Sequence, residues 1–391
     1  MNPSELRSTL ALAGIFGLRM LGLFLLLPVF SVYAHGLPGG ERALWVGLAL
    51  GIFNIVQACL YIPLGRLSDR IGRKPVVFWG LSFFIAGALI CSAKDDLLWI
   101  AIGRGVMGAG AISAAISAWV ADLTREQVRT RAMALVGGSI ALSFALSLVI
   151  AAPLYRLITM RGIFIVLAGL GVMAMLVTHF VLPDSKPEPR AQSASLREIF
   201  LRPELMRLNI GVFVLHATQV AMFLVVPRLL VDAGLPLSSH WEIYLPVVLL
   251  SFVIMAPILI LGEKKHRLRT VLLVSIVFLV IAEGIFTSAT SISVIASALV
   301  IYFVGFNLLE ALQPSLVSRF AKESKGAALG VYNTTQSIGL FSGAVLGGYL
   351  MDSLGAFSVF LAGAGLLIGW LIIAWSMQEL PARSADKAST L

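Results

Sequence analysis

Gly65-Arg66-Leu67-Ser68-Asp69-Arg70-Ile71-Gly72-Arg73-Lys74-Pro75 is a short polar turn set between two apolar runs, 44–65 and 75–93. Gly65 and Gly72 let the chain reverse sharply between helix ends, and Asp69 is flanked by four cations, Arg66, Arg70, Arg73 and Lys74, with which it can pair. An ordinary basic loop accounts for the cations but not for two glycines and an acid at this spacing. About 20 apolar residues suffice to cross a bilayer as a helix, so the turn joins two spans on one face of a membrane. Working outward, ten further apolar runs follow the same pattern, at 10–34, 97–121, 131–153, 162–182, 207–231, 243–262, 269–289, 293–317, 326–350 and 355–377, which makes twelve.

The composition agrees. Of 391 residues, 59% are hydrophobic and only 13% charged, against roughly 25% charged in an ordinary soluble domain. This excludes a large water-soluble catalytic domain, a disulfide scaffold and a single-pass receptor. Met1 to Ser31 has some look of a secretory leader, but Arg19 interrupts its apolar region and no clear small-residue cleavage site follows, so it is read as the first span. Cys59 and Cys91 both fall inside apolar runs and are expected to be packing residues. The formal charge of +9 is scattered over many loops rather than gathered into a stripe, so no nucleic-acid partner is expected.

Pro183 to Met206 is the longest polar stretch, holding Pro183, Pro187, Pro189 and Pro203 among mixed charges. It divides the chain into a six-helix bundle at 1–182, a linker at 183–206 with a short amphipathic helix expected at Leu196 to Leu201, and a second six-helix bundle with a short tail at 207–391. Counting cations in alternate loops puts 22 of the 29 Lys and Arg residues on the side that holds the N-terminus. Positive loops are retained in the cytoplasm, which predicts a multi-pass protein of a bacterial inner membrane with both termini cytoplasmic. A weak repeat, TRAMALVGGS at 130–139 and KGAALGVYNT at 325–334, opens the fifth span of each half. Two similar halves are a transporter construction, with substrate bound between them near the bilayer midplane.

The loop at 65–75 resembles the G-x-L-a-D-r-x-G-r-k loop of the major facilitator superfamily, and the twelve spans in two sets of six agree with it. The resemblance implies the major facilitator fold, an all-α membrane protein of twelve transmembrane helices in two six-helix halves. It also implies that Asp69 faces the start of the eleventh helix near Gly326 and that Arg73 pairs with Asp122 at the end of the fourth. A helix N-terminus carries about half a positive charge, so Gly65, Asp69, Arg70, Gly72, Arg73 and Asp122 would form a latch between the halves on the inner side, conformational rather than substrate-binding. Gly103 to Gly110 formally contains G-x-G-x-x-G, but the pattern lies inside an apolar helix rather than after a strand, which argues against a dinucleotide site. It looks instead like the family's R-x-x-x-G-x-G signature, in which Arg104 would face the cavity. The exporter pattern G-x-x-x-G-P of the fifth helix is degraded to Ala151-Ala152-Pro153 after Gly137 and Gly138. GLRMLGLFLLLPVF at 17–30, ADLTREQVRTRAMA at 121–134 and FNLLEALQPSLVS at 306–318 are most similar to the YajR-like branch of bacterial drug:proton antiporters. Some members carry a soluble C-terminal domain; none is expected here, since the chain stops about fourteen residues after the last span.

Ionisable residues inside spans are costly and therefore functional candidates. Glu310, His216, Glu283, Arg19 and Arg104 are the candidates for proton coupling, with Asn54, Gln57 and Asn307 expected to line the cavity or to satisfy a neighbouring helix. Burial disfavours the charged form of a carboxylate, which suits Glu310 to taking up and releasing a proton. Gly47 and Gly51, and Gly339, Gly343 and Gly347, form small-residue ridges for close helix contact. There is no H-E-x-x-H, Cys/His cluster or G-x-S-x-G elbow, so neither a metal nor a catalytic set is expected, and no Walker-type loop for ATP. The reading is a secondary transporter, not an enzyme. It needs no cofactor, is driven by the proton gradient and is expected to act as a monomer, exporting small amphipathic compounds by alternating access. Aromatics such as Phe24, Tyr33, Trp119, Phe223 and Phe341 suit such substrates better than sugars. A sugar or metabolite carrier on the same fold is the rival. A channel or a non-transporting scaffold fits less well.

Overall fold

Helices and closed barrels are the backbone forms that satisfy every amide within a bilayer, and the sequence takes the first course. The computed structural model describes residues 1–184, 202–321 and 325–378. The helices are α1 (Pro3–Phe24), α2 (Leu27–His35), α3 (Ala43–Ile71), α4 (Arg73–Ala93), α5 (Leu97–Gly108), α6 (Ser113–Asp122), α7 (Glu126–Phe180), α8 (Pro203–Asp232), α9 (Trp241–Lys264), α10 (Leu268–Phe286), α11 (Ile292–Phe320), α12 (Lys325–Leu354) and α13 (Ala356–Trp375). No strand occurs among the described residues.

Local chemistry sets the boundaries. Asn2 and Glu5 cap α1 reciprocally, the Glu5 amide donating to Asn2 Oδ1 at 2.9 Å and the Asn2 amide to Glu5 Oε2 at 2.8 Å, with Pro3 following. Gly72, at φ 96°, makes the turn between α3 and α4 in a conformation that favours glycine. Asp96 caps α5 through the Trp99 amide at 3.0 Å.

Eleven helical stretches among the described residues are long and apolar enough to cross a membrane. One of them, 131–180, runs for 50 residues. At 1.5 Å per residue such a helix is far longer than a hydrocarbon core of about 30 Å. Thr159, at φ 60° and ψ 177°, breaks it in two, so the architecture reads as twelve spans.

Four expectations are corrected. The loop expected at 154–161 is reduced to the single non-helical residue Thr159. The first span is interrupted at 25–26, just ahead of Pro28, and so is built from α1 and α2. The fourth span is likewise not one helix, since α5 ends at Gly108 and α6 begins at Ser113. Here the chain is pressed against other backbones, and a Cβ at Gly108 or Gly110 would run into the Phe53 or Gly80 carbonyl. Pro203 to Met206, assigned to the linker, opens α8 with proline in its first turn. The helix expected at 196–201 and the tail from 379 lie outside the described residues.

Within the first six spans the main contacts are α1 with α7, α4 with α5 and α7, and α3 with α5. Within the last six they are α8 with α12, α10 with α11 and α13, and α9 with α11. The halves meet through α3 with α12, α2 with α8, and α7 with α9. One apolar core passes continuously between them at the end away from the N-terminus, joining Phe30, Leu50 and Phe144 to Phe223, Phe303 and Ala344. At the basic end, where the 65–75 loop lies, Leu12, Phe16, Val76, Trp119 and Val136 form a separate core belonging to the first half alone. The halves are therefore joined at the far end and parted at the basic end.

Candidate transport site

The far-end seal begins with glycine. A Cβ on Gly47 would run into the Ala344 carbonyl, and one on Gly348 into the Ala43 carbonyl, so α3 and α12 touch backbone to backbone. Asp352, in the last turn of α12, then caps α3: its carboxylate accepts from the Ala43 amide at 2.7 Å and the Leu44 amide at 2.9 Å, with Arg42 Nε at 3.8 Å. A carboxylate on the positive end of a helix is worth about 0.3–1 kcal/mol when exposed and up to about 2 when partly buried. Asp352→Ala should therefore shift the balance away from the far-end-closed state by about fivefold. The check is labelling from the far side of a cysteine introduced at Ala344; unchanged labelling would leave Asp352 with no part in the seal.

Below the seal lies a layer of rings crossing between the halves. Phe144 of α7 is 5.1 Å from Phe24, 5.8 Å from Phe303, 5.6 Å from Phe306 and 6.4 Å from Phe223, by centroids. Tyr302 stacks on Phe306, and Tyr244 adjoins Phe223.

Directly beneath, Phe306 meets the ring of His216 edge-on at 5.8 Å. His216, on α8, is 3% exposed, and its Nδ1 lies 3.0 Å from the Val212 carbonyl. That oxygen can only accept, so Nδ1 carries a proton and Nε2 is left as the variable nitrogen. Two side chains compete for it: Glu310 Oε2 of α11 at 3.4 Å and the amide of Gln336, on α12, at 2.6 Å. Glu310 keeps 29% of its side chain exposed although Oε2 itself is buried. Tyr332, on α12, is buried within electrostatic range of Glu310.

In the first half, Arg19 and Arg104 lie on the ring of Phe53, with guanidinium carbons 5.9 and 5.4 Å from its centroid. Arg19 donates to Ser113 Oγ at 2.8 Å, and Gln57, its amide oxygen turned inward, accepts from Arg19 and from Tyr61 Oη at 3.0 Å. Arg104 donates to the Ala49 and Leu50 carbonyls, each at 2.8 Å. Both arginines are thus held on α3 and α6, inside the first half. Asn54 Oδ1, buried nearby, has no hydrogen-bond partner among the described residues. In the second half Asn307 Nδ2 donates to Ser251 Oγ at 3.0 Å, tying α11 to α9. Glu283 is buried in the outer part of α10, its carboxyl in the space that Gly363 leaves open.

At the basic end Arg73, 6% exposed, is bracketed by acids: Asp122 Oδ2 lies 3.0 Å from Nε, and Asp69 pairs with Nη1. Ser68 Oγ accepts from Nη1 at 2.7 Å. Gly65 and Gly72 flank this group, while Arg70, next to Asp69, is exposed. In this conformation Asp69 is thus engaged in its own loop. The stretch before α12, residues 322–324, lies outside the described residues.

The structure brings together His216 and Glu310 from the expected set, and separately Arg19, Arg104 and Gln57. Glu283 is apart from both. Trp119 sits in the separate core of the first half rather than on a cavity, Phe341 packs on Gly51, and Cys59 is exposed where a packing residue was expected. Sequence reasoning missed Gln336, Tyr332, Phe144 and Asp352. Only Asp352 carried a readable signal, as an acid closing a glycine-ridged helix.

The family described as Major Facilitator Superfamily matches residues 12–344. The chain is 38% identical to the inner membrane transport protein YajR of Escherichia coli K12, over 97% of this chain and 85% of that one. It is 25% identical to the multidrug resistance protein MdtH of Aeromonas salmonicida, over 86% and 85%. Among solved structures, a bacterial homologue of the human lysosomal transporter Spinster, in an inward-facing and unoccupied conformation, superposes with a TM-score of 0.70 at 14% identity, covering 96% of this chain and 95% of that one.

Proposed function

Because the chain belongs to the major facilitator superfamily, it is a multi-pass membrane transporter rather than an enzyme, and we propose that it is a proton-coupled antiporter for small, partly apolar compounds. The observation that carries this reading is the contact between His216 Nε2 and Glu310 Oε2 at 3.4 Å. With Nδ1 committed to Val212, a lone pair on Nε2 and a carboxylate would repel one another. The pair is favourable with one proton, as imidazolium with carboxylate or imidazole with carboxylic acid, and poor with none. A site that prefers one proton, inside a bilayer and beneath a ring layer that both halves build, is a carrier of that proton.

Access follows from the packing. The ring layer and the α3–α12 seal cover the far side of the pair, so the exposed part of Glu310 opens toward the basic end. By the rule that positive loops stay in the cytoplasm, that end is cytoplasmic, the membrane is the bacterial inner membrane, and both termini are inside. A compound entering from the cytoplasm then meets rings from both halves and a carboxylate. This suits amphipathic, drug-like molecules, and the name of the MdtH relative supports the same class. A cationic group competing for Glu310 would displace the proton, which gives exchange.

The test is reconstitution as a monomer into vesicles with an acidic lumen, challenged with cationic dyes, drugs and sugars. Accumulation of the amphipathic compounds that collapses with the pH gradient is expected. Sugar uptake without the others would replace this reading with the carrier of metabolites, and reporters in the 183–206 linker reading periplasmic would reverse the orientation.

A further inference from the structure

Nε2 of His216 has one valence and two suitors. We propose that Gln336 is the positioning residue that holds the proton-free state, so that His216 is bonded to α12 without its proton and to α11 with it. This rests on the reading of His216 and Glu310 as the proton site.

The argument is hydrogen-bond accounting. A neutral imidazole with Nδ1–H on Val212 offers a lone pair at Nε2, and the Gln336 amide, 2.6 Å away, donates to it. An imidazolium offers N–H instead, for which the Glu310 carboxylate is a far better acceptor than an amide. Gln336 therefore stabilises the neutral ring more than the charged one, and Glu310 does the reverse. Each partner sits on a different helix, and the two helices have different duties. α11 meets the first half through the rings of Phe303 and Phe306 against Phe144. α12 carries Gly348 and Asp352, which close the far end against α3. Loading and unloading the proton thus makes and breaks a bond to the helix whose glycine and aspartate close the far end. The groups facing the pair are Tyr332 of α12, in electrostatic range of Glu310, and Phe306 of α11, against the ring. Neither offers a competing charge at neutral pH.

The sign follows. Removing the donor destabilises the proton-free state, the pair keeps its proton to higher pH, and half-maximal transport moves alkaline. A hydrogen bond lost next to a charged group corresponds to about one pH unit. The experiment measures gradient-driven uptake of a transported dye as a function of pH in Gln336→Met, which keeps the length and removes the polar group, and in Gln336→Glu, which substitutes an acceptor that favours the imidazolium. The midpoint should rise by about one unit in the first and further in the second. Dye counterflow without a gradient, measured alongside, reports that each variant is folded and binds. Counterflow at the wild-type level with an unmoved or acid-shifted midpoint in both variants would overturn the role of Gln336. If one variant fails to fold, the other decides by the same midpoint. Failure of the underlying reading looks different, because Glu310→Gln would then retain wild-type pH dependence, whatever Gln336 does.

Discussion

Glu310→Gln should abolish transport driven by a pH gradient while leaving exchange of uncharged transported compounds in place. The glutamine keeps the shape of the protonated acid and can still meet His216 Nε2, 3.4 Å away in the native protein, so the local contact is preserved. What is lost is the ability to change charge. With no carboxylate to stabilise an imidazolium, His216 stays neutral and bonded to Gln336, and the site no longer distinguishes an acidic from an alkaline face. Gradient-driven accumulation should fall to the level of empty vesicles, with counterflow of an uncharged transported compound, which makes no ion pair with the carboxylate, kept within a few-fold of wild type. The His216→Asn variant should lose coupling in the same way. Gradient-driven accumulation in Glu310→Gln equal to wild type would return Glu310 to a structural role and move attention to Glu283, the remaining buried carboxylate considered for coupling.

The second large effect is mechanical. Gly47→Leu should lock the far end open, because the new Cβ falls on the Ala344 carbonyl, which is backbone and cannot step aside by changing rotamer. Each half has its own internal contacts, α3 with α5 and α12 with α8 among them. The variant should therefore fold and insert normally while the two halves cannot close at that end. Net transport should be lost. Ala344, fully buried in the native protein, should become reactive from the far side when replaced by cysteine. Gly348→Leu, placed against Ala43, should behave alike. Normal transport in both would show that the α3–α12 seal is not part of the cycle.

The spans were legible because bilayer helices announce themselves by length and composition, and Pro183, Pro187 and Pro189 mark the division between halves. The interruptions were not. The break at 109–112 comes from backbone contact with Phe53 and Gly80, a tertiary constraint with no turn residues of its own, and Thr159 is not a residue that favours the conformation it adopts. The candidate site was half legible. Glu310 and His216 stood out because ionisable groups within spans are expensive, but their pairing joins helices 94 residues apart in sequence and depends on a fold. Gln336 reads as one more polar residue in a small-residue helix. Its meaning arises only beside His216. The two arginines were legible as costly charges within spans and were candidates for coupling in their own right, but their partners were not: Ser113, Gln57 and the carbonyls of α3 hold both within the first half.

The central claim is that compound and proton move in opposite directions through one site. Vesicles loaded with a transported compound and a pH-sensitive dye, with equal pH on both sides and the membrane potential clamped, isolate that exchange. When the compound is diluted outside and runs out down its own gradient, protons should enter and the lumen should acidify, in proportion to compound lost and not at all with Glu310→Gln. Efflux of the compound with no change in lumenal pH, or with the lumen turning alkaline, would contradict the account.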